Sequence, residues 1–181
     1  MKQELDNLLV KRYPRLFVER NLPKNQSCMA HGVTCKDGWF TIIDCLCANI
    51  QGYIDNQESQ LEGDQQYNLL INNCKNGNFE LFNKYFSHME PTAREKYKTE
   101  IAQREPRELT SLVPQVVITQ IKEKFGTLRF YFKGGDNHVR GMVQMAESMT
   151  SFTCEECGAP GELRQKRYLY TACDNHTQTE N

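Results

Sequence analysis

Two short pairs of metal-binding residues near the C-terminus constrain this chain more than any other feature. Cys154 and Cys157 form a Cys-x-x-Cys pair, Cys173 and His176 form a Cys-x-x-His pair, and fifteen residues separate the two pairs. Each pair can present two ligands to one ion, and two such pairs complete a tetrahedral shell. Because four protein ligands leave no position open for water, we interpret the motif as a structural Cys3His zinc site in a zinc ribbon or knuckle.

A metal ion would supply folding free energy that this segment cannot obtain from apolar burial. Structural zinc contributes on the order of 10 kcal/mol, which appears as folding free energy. The alternative is that these cysteines are ordinary buried thiols, which the paired spacing disfavours. We therefore expect residues 150–181 to form a zinc-binding module that follows an α+β domain over residues 1–149.

A second cysteine cluster could supply three more metal ligands, Cys28, His31 and Cys35. A fourth ligand at fitting spacing is missing unless Cys45 or Cys47 provides it, and both lie within the next predicted helix. Cysteine is among the most buried residue types, so a compact loop with small buried thiols is the favoured interpretation. A second metal or thiol site stays open as the alternative.

The composition is typical of a globular protein with a modest core. The chain has 181 residues, of which 39% are hydrophobic, and a formal net charge of −1. Near-neutral charge excludes a global basic field, so any nucleic-acid contact must use a local patch. No apolar run reaches membrane-spanning length, and the N-terminus lacks the apolar region of a secretory signal. We expect a cytoplasmic protein with no membrane partner, in which reduced cysteines bind metal or stay free.

Hydrophobic periodicity predicts two helices in the first third of the chain. Residues 2–18 begin as an amphipathic helix that Pro14 ends or kinks. Apolar residues then recur at helical spacing from Trp39 to Ile54, with Asp37 available as the cap. This second segment should be the main core helix, and Trp39 its largest anchor.

The clearest strand signal lies between residues 113 and 133. A β-branched run leads through a tight connection at Phe125 and Gly126 into an alternating strand, which predicts an antiparallel hairpin. Asp136 should cap a helix that extends through Ser148. The inward face of that helix is predicted to carry Val139, Met142, Val143, Ala146 and Met149.

The intervening residues, about 56–111, are predicted to form a helical insertion. Residues 55–68 are rich in Gln, Asp and Glu and indicate a linker or loop. Short helices should follow, ending near Gly77 and before Pro91, and Pro91 should open a third. The aromatic residues are candidate partner anchors, since aromatic side chains often dominate interface energetics, or they pack on the core. They are Phe79, Phe82, Tyr85 and Phe86.

Two local surfaces combine basic and aromatic residues and are candidates for contact with nucleic acid or a partner. They comprise Lys122, Lys124, Arg129, Tyr131 and Lys133 on the hairpin and Arg164, Lys166, Arg167 and Tyr168 in the zinc loop. Cations interleaved with rings suit phosphate contact combined with base stacking. The alternative is that these residues form an ordinary solvated strand face with no binding role.

Several motifs together resemble a group of short phage and prophage proteins of unknown function. They are Cys35 to Phe40 (CKDGWF), Ile121 to Tyr131 (IKEKFGTLRFY), Gly134 to Asp136 (GGD), and Met145 to Ser148 (MAES) running into Cys154 to Gly158 (CEECG). The resemblance covers roughly residues 28–54 and 114–176. In that group the connection from the Trp helix to the first strand is shorter, so residues 55–111 look like an elaboration. The resemblance implies a phage or mobile-element origin and a zinc module, and it transfers no catalytic residue.

The function predicted from the sequence is binding without catalysis. The chain contains no GxxxxGK[ST], GxSxG or HExxH motif. With the phage resemblance, this favours an accessory protein that inhibits a host protein or protein–nucleic-acid complex, specifically a counter-defence (anti-CRISPR-like) inhibitor. A nucleic-acid-binding zinc protein is one alternative. The other is a nucleotide-signal-binding protein or small hydrolase, because Gly134 and Gly135 before a helix could offer N–H groups to an anion.

Overall fold

The computed structural model describes residues 1–177 and confirms the predicted α+β class. Within these residues the chain forms five helices and two antiparallel two-stranded sheets. It divides into two compact units: Met1–Ile54 together with the chain from Val113 onward, and Asp55–Leu112. The second unit spans nearly the residues predicted as a helical insertion. No helix of the described chain combines the length and hydropathy needed to cross a bilayer.

Four helices come before the first hairpin along the chain, and a fifth helix separates the first hairpin from the second. The helices are α1 (Gln3–Arg12), α2 (Phe40–Lys75), α3 (Glu80–Tyr85), α4 (Pro91–Ala102) and α5 (Asn137–Thr150). The strands are β1 (Val117–Lys124), β2 (Thr127–Lys133), β3 (Glu162–Gln165) and β4 (Leu169–Ala172). Short 3-10 turns cover Val18–Asn21, Cys28–His31, Asp37–Trp39 and Asp174–His176.

Helix α1 ends before Pro14, as predicted, because proline cannot continue an α-helix. Its buried carboxylate, Asp6, is fully engaged: Arg20 Nη2 donates to Asp6 Oδ2 at 2.7 Å, and Val33 N donates to Asp6 Oδ1 at 3.2 Å. A buried charge is tolerated when it is paired and hydrogen-bonded in this way. Asp6 therefore ties the first helix to the loop that precedes α2.

Helix α2 corrects two predictions. The expected linker or loop over residues 55–68 is wrong, because the helix continues from Phe40 to Lys75. Gln and Glu are good helix formers and the stretch contains no proline, so polar composition did not imply a loop. Asp37 does not cap α2 either: a 3-10 turn precedes the helix, and the Asp37 carboxylate accepts a hydrogen bond from Lys2 N at 2.7 Å.

The core of the first unit lies between α2, α5 and the β1–β2 hairpin. Trp39 is its largest fully buried side chain, as the sequence predicts. The other buried contributors from these elements are Ile43, Leu46, Cys47, Ile50, Ile54, Ile118, Ile121, Leu128, Phe130, Val139, Val143 and Ala146.

Strands β1 and β2 form the predicted antiparallel hairpin. Its two-residue turn places Phe125 at φ 57° and Gly126 at φ 79°, the left-handed conformations that a type I′ turn requires. A register shift between Ile118 and Gln120 marks a bulge in β1. Below the bulge the pairing is regular, so each strand has one face on the core and one face outward.

Helix α5 begins at its predicted cap, since Asp136 Oδ1 accepts a hydrogen bond from Val139 N at 3.0 Å. The prediction that Met149 faces inward is wrong, because this side chain is 48% exposed. Thr150 takes the inward position on the last turn, and its hydroxyl accepts from Leu128 N at 3.0 Å. Glu147 likewise accepts from Phe130 N at 2.9 Å. Helix α5 therefore covers the free edge of β2.

The second unit has a small core of its own, built from the end of α2 with α3 and α4. Its buried members are Leu70, Ile71, Cys74, Phe82 and Ile101. Helix α2 ends near Gly77, which adopts φ 75°, in agreement with the predicted stop.

The four predicted partner anchors are not a free surface. Phe82 is fully buried, and Phe79 and Phe86 are partly buried against the same small core. Tyr85 alone among the four is exposed, at 45%. The Phe82 and Phe86 rings pack against each other, with centroids 4.8 Å apart, and against Tyr97, because a unit of this size needs such rings as its core.

Candidate metal centre

The structure brings the four predicted ligands together at the C-terminal end of the first unit. The Sγ atoms of Cys154, Cys157 and Cys173 and a ring nitrogen of His176 all lie within 4.8 Å of one another. Cys157 Sγ is 3.8 Å from Cys173 Sγ. His176 Nδ1 is 3.2 Å from Cys173 Sγ and 3.7 Å from Cys154 Sγ. The group could hold one metal ion.

These separations fit the dimensions of a tetrahedral site. Bonds of about 2.3 Å from zinc to sulfur and about 2.0 Å to nitrogen place two sulfurs about 3.8 Å apart, and a sulfur and a nitrogen about 3.5 Å apart. The distance between Cys157 and Cys173 matches the first value, and the two distances from His176 lie on either side of the second. The donor types therefore suit a metal such as zinc, and these three separations are close to tetrahedral values within a group that spans up to 4.8 Å.

Two local turns position the ligand pairs. In the first, Gly158 adopts φ 77° and its N–H donates to Cys154 O at 2.9 Å, which folds the Cys-x-x-Cys segment back on itself. In the second, Cys173 directly follows β4, and His176 ends the 3-10 turn Asp174–His176. The β3–β4 hairpin thus connects the two pairs, and its pairing brings the second turn beside the first.

The surroundings of Cys154 favour its thiolate. Burial raises the pKa of this thiol, but hydrogen bonds from the backbone N–H groups of Cys173, Cys157 and Glu156 outweigh burial and lower the pKa to about 7. At the exposed Cys157, a hydrogen bond from the N–H of Ala159 lowers the pKa of the thiol, whereas the neighbouring thiols of Cys154 and Cys173 raise it. The net effect is a raised pKa. Because the thiolate and not the thiol ligates a metal, this lowered pKa favours metal binding by Cys154.

The first ligand turn lies directly on the 3-10 turn that precedes α2. Gly38 N donates to Glu155 O at 2.8 Å, and Lys36 N donates to Glu155 Oε1 at 3.0 Å. A Cβ atom on Gly38 would lie 2.3 Å from Cys154 O, closer than van der Waals contact allows. Only glycine leaves room for this approach.

The β3–β4 hairpin also packs against the turn between β1 and β2. Thr171 Oγ1 donates to Gly126 O at 2.6 Å, and Glu155 N donates to Thr171 O at 3.1 Å. A Cβ atom on Gly126 would approach Leu163 Cδ1 to 2.4 Å. The metal centre is therefore joined to the 3-10 turn before α2 and to the β1–β2 turn, and all three belong to the first unit. Whether residues 150–181 fold as a separate module stays a prediction.

A cavity of about 370 Å³ adjoins the centre and includes His176, Glu123 and Glu155 in its lining. Both carboxylates are engaged by backbone groups: Glu123 Oε1 accepts from Gly126 N at 2.6 Å, and Glu155 Oε1 accepts from Lys36 N. Burial raises the pKa of Glu155. These hydrogen bonds give the acidic side chains a structural role at the base of the ligand turn.

The structure does not support a second metal site at the other cysteine cluster. Within residues 1–177, the C-terminal group is the one set of three or more Cys, His, Asp or Glu ligands close enough to share an ion. Cys28 and His31 are exposed, whereas Cys35 is buried. Burial raises the pKa of Cys35 to about 12, as expected for an inert thiol. The buried-thiol interpretation thus applies to Cys35 and not to Cys28.

The predicted contact residues of the zinc loop differ in ion pairing and in solvent exposure. Arg164 is engaged, since its Nη2 pairs with Asp174 at 2.5 Å and with Glu162 at 3.0 Å. Lys166, Arg167 and Tyr168 are exposed at the connection between β3 and β4. Sequence reasoning missed the roles of Gly38 and Thr150, although the glycine beside Trp39 was a usable signal for a close approach.

Comparison with known proteins provides no relative: no family model, no curated protein and no solved structure matches this chain. The resemblance to short phage proteins therefore stays a prediction. The ligand geometry and the surfaces of the two units are what support a functional interpretation.

Proposed function

We propose that this protein binds one zinc ion in a structural site and acts as a non-catalytic binding protein. The observation that carries the zinc assignment is the match between the ligand separations and a tetrahedral shell, above all the 3.8 Å between Cys157 Sγ and Cys173 Sγ. Thiolate and imidazole ligands together favour zinc over the hard cations magnesium and calcium.

A structural role follows from the ligand count and from the location of the centre. Cys154, Cys157, Cys173 and His176 would fill all four positions of a tetrahedral ion, which leaves none for a reacting water. When bound, the ion supplies a rigid cross-link between the turn after α5 and the turn after β4. These chain segments then hold the β3–β4 hairpin against Gly38 and Gly126.

Elemental analysis of the purified protein tests the zinc assignment. We expect about one zinc per chain, lost in a Cys154→Ser, Cys157→Ser double variant because two ligands are then missing. Cys45→Ser is the matched control, since Cys45 is an exposed free cysteine outside the ligand group. Absence of zinc from the wild type, another metal in its place, or full zinc retention by the double variant would each overturn the proposal.

The target class that we propose is a host defence component, specifically a nucleic-acid-guided nuclease complex. This part of the proposal rests on the resemblance to short phage proteins and on the absence of recognised catalytic motifs from the sequence. Mixing the purified protein with a purified nuclease complex should give a stable stoichiometric assembly and loss of cleavage, with no product released by the protein itself. Multiple-turnover chemistry abolished by one point mutation would contradict the non-catalytic assignment.

A further inference from the structure

The β1–β2 hairpin carries its basic residues on the outward face and its acidic residue on the opposite face. Residues directly opposite each other in an antiparallel pair project from the same face. The register pairs Lys122 with Arg129, Lys124 with Thr127 and Gln120 with Tyr131. The contacts agree, because Lys122 Nζ lies 5.4 Å from the Tyr131 ring centroid and Arg129 Nη1 donates to Thr127 Oγ1 at 2.6 Å. The basic and aromatic residues predicted on the hairpin therefore share one face.

No carboxylate of the hairpin lies on this face. Glu123 is the single acidic residue of β1 and β2, and it is paired with buried Leu128 on the opposite face. Its carboxylate accepts a hydrogen bond from Gly126 N. The acidic side chain is thus directed toward the metal-centre side, where it lines the neighbouring cavity.

Three of the four cations on the face lack an acidic partner. Lys133 Nζ pairs with Glu19 at 2.8 Å. Within the described chain, Lys122, Lys124 and Arg129 form no ion pair with any carboxylate. Their positive charges reinforce one another on a protein whose net charge is −1. A surface of this kind attracts a polyanion.

Two aromatic rings on the same side of the hairpin are open to solvent. Tyr131 is 42% exposed, and Phe125 at the turn is 63% exposed. Lys124 Nζ lies 5.1 Å from the Phe125 ring centroid, which places this ring beside the outward face. Four residue steps of about 3.3 Å separate Tyr131 from Thr127 at the turn, so the two rings are roughly 13 Å apart along the hairpin. Each ring is flanked by a cation and offers a surface on which a base can stack.

We infer that the outward face of the β1–β2 hairpin binds single-stranded nucleic acid without sequence preference. Lys122, Lys124 and Arg129 contact successive phosphates, and Tyr131 and Phe125 stack on unpaired bases. The inference rests on the proposed function, since it names the chemical component of the target complex that this protein contacts. Exposed rings favour a single strand over a duplex, whose bases are already stacked, and over an acidic peptide, which has no bases.

The strand edges do not offer the alternative of adding a partner strand. The free N–H groups of β2 at Leu128 and Phe130 donate to α5 side chains. On the β1 side, Ile118 N donates to Leu16 O at 2.8 Å. A partner must therefore bind to the face of the hairpin.

Fluorescence anisotropy with a labelled oligothymidylate of about 15 nucleotides tests the inference at salt concentrations from about 50 to 200 mM. The wild type should bind, and the affinity should fall steeply with salt. A Lys122→Ala, Lys124→Ala, Arg129→Ala triple variant should reduce the slope of log affinity against log salt by about 2, since each phosphate contact contributes about 0.7 for a single strand. Tyr131→Ala should weaken binding about tenfold at constant salt slope.

A matched triple variant, Lys11→Ala, Lys24→Ala and Lys96→Ala, removes the same charge from exposed positions elsewhere and should bind like the wild type. Zinc content and Trp39 fluorescence of every variant establish that it is folded. No binding by the wild type, equal or tighter binding of a duplex of the same length, or equal loss in both triple variants would overturn the inference. If zinc content and assembly with the nuclease complex are meanwhile intact, the proposed function stands and this surface assignment alone fails.

Discussion

The indole Nε1 of Trp39 donates a hydrogen bond to the backbone carbonyl of Thr153 at 2.8 Å, across 114 residues of sequence. Thr153 directly precedes the first metal ligand, Cys154. The largest buried side chain of the core is therefore bonded to the backbone that carries the metal centre. Loss of order at the metal centre should therefore change the environment of the Trp39 indole.

Metal removal should change the fluorescence of Trp39. Chelation frees the ligand turn, and the indole then loses its acceptor at Thr153. Trp39 is the single tryptophan, so its emission spectrum reports on this contact without interference. We expect a shift in emission that tracks zinc release and reverses when zinc is restored. An unchanged spectrum after complete zinc loss would instead show that the segment from residue 150 folds independently, as the sequence predicts.

Substitution of Gly38 should loosen the metal centre. In Gly38→Ala the added Cβ would meet Cys154 O at 2.3 Å and Gly158 N at 2.5 Å, so the ligand turn must move away from the 3-10 turn before α2. Overpacking of this kind costs about 1–3 kcal/mol. Chemical denaturation should show that loss, and competition with a chromophoric chelator should show faster zinc release.

Gly52→Ala is the matched control for that experiment. Gly52 lies within α2, and a Cβ atom there meets nothing within 4 Å. Alanine is the better helix former by about 1 kcal/mol, so this variant should be more stable than the wild type. Destabilisation by both substitutions would contradict the close-approach explanation for Gly38.

The cap of α5 should make stability depend on acid pH. The N–H of Val139 and the hydroxyl of Tyr53, which donates at 2.8 Å, lower the pKa of Asp136 below its ordinary value of 3.8. A lowered folded-state pKa stabilises the protein above about pH 4, and this contribution is lost as the pH falls through the folded-state pKa. Asp136→Ala should lower the free energy of unfolding by about 1 kcal/mol at pH 7.

Denaturation of wild type and Asp136→Ala at several pH values measures this effect. The difference in unfolding free energy between them should shrink as the pH falls from about 4 through the lowered folded-state pKa, over which the wild-type carboxylate becomes protonated. Acid also releases metal from thiolate ligands, but both proteins share that loss, so the difference isolates the cap. A difference that is independent of pH would rule out a role for the ionised carboxylate.

The small core of the second unit should depend on Phe82. Phe82→Ala removes a fully buried ring that contacts Phe86 and Tyr97, and we expect a cost of about 3–5 kcal/mol. Hydrogen exchange of the α4 amides should then accelerate. Tyr85→Ala, at the exposed position, should change stability by less than about 0.5 kcal/mol. Equal effects of the two substitutions would contradict the assignment of Phe82 as core.

The metal ligands and the hairpin could be predicted from the sequence because their signals are local. The four ligands are identified by spacing within two short turns, which fix geometry regardless of the remaining chain. The β1–β2 hairpin was predicted from β-branched and alternating residues around a tight connection. The cap of α5 was predicted because aspartate is a preferred residue at helix N-termini, and Asp136 occupies that position. The prediction of a linker over residues 55–68 was wrong, because α2 continues through them. This polar stretch has too few apolar residues to form the stripe by which an amphipathic helix is predicted.

The sequence by itself determined which residues can bind a metal ion and which strand face is basic, since ligand spacing and the two-residue period of a strand are properties of neighbouring residues. Tertiary structure alone decided that the ligand turn lies on Gly38, that Thr150 rather than Met149 faces inward, and that Phe82 is core and not a partner anchor. These outcomes depend on contacts between residues far apart in the chain. Periodicity predicts which face is apolar but not which neighbour covers it.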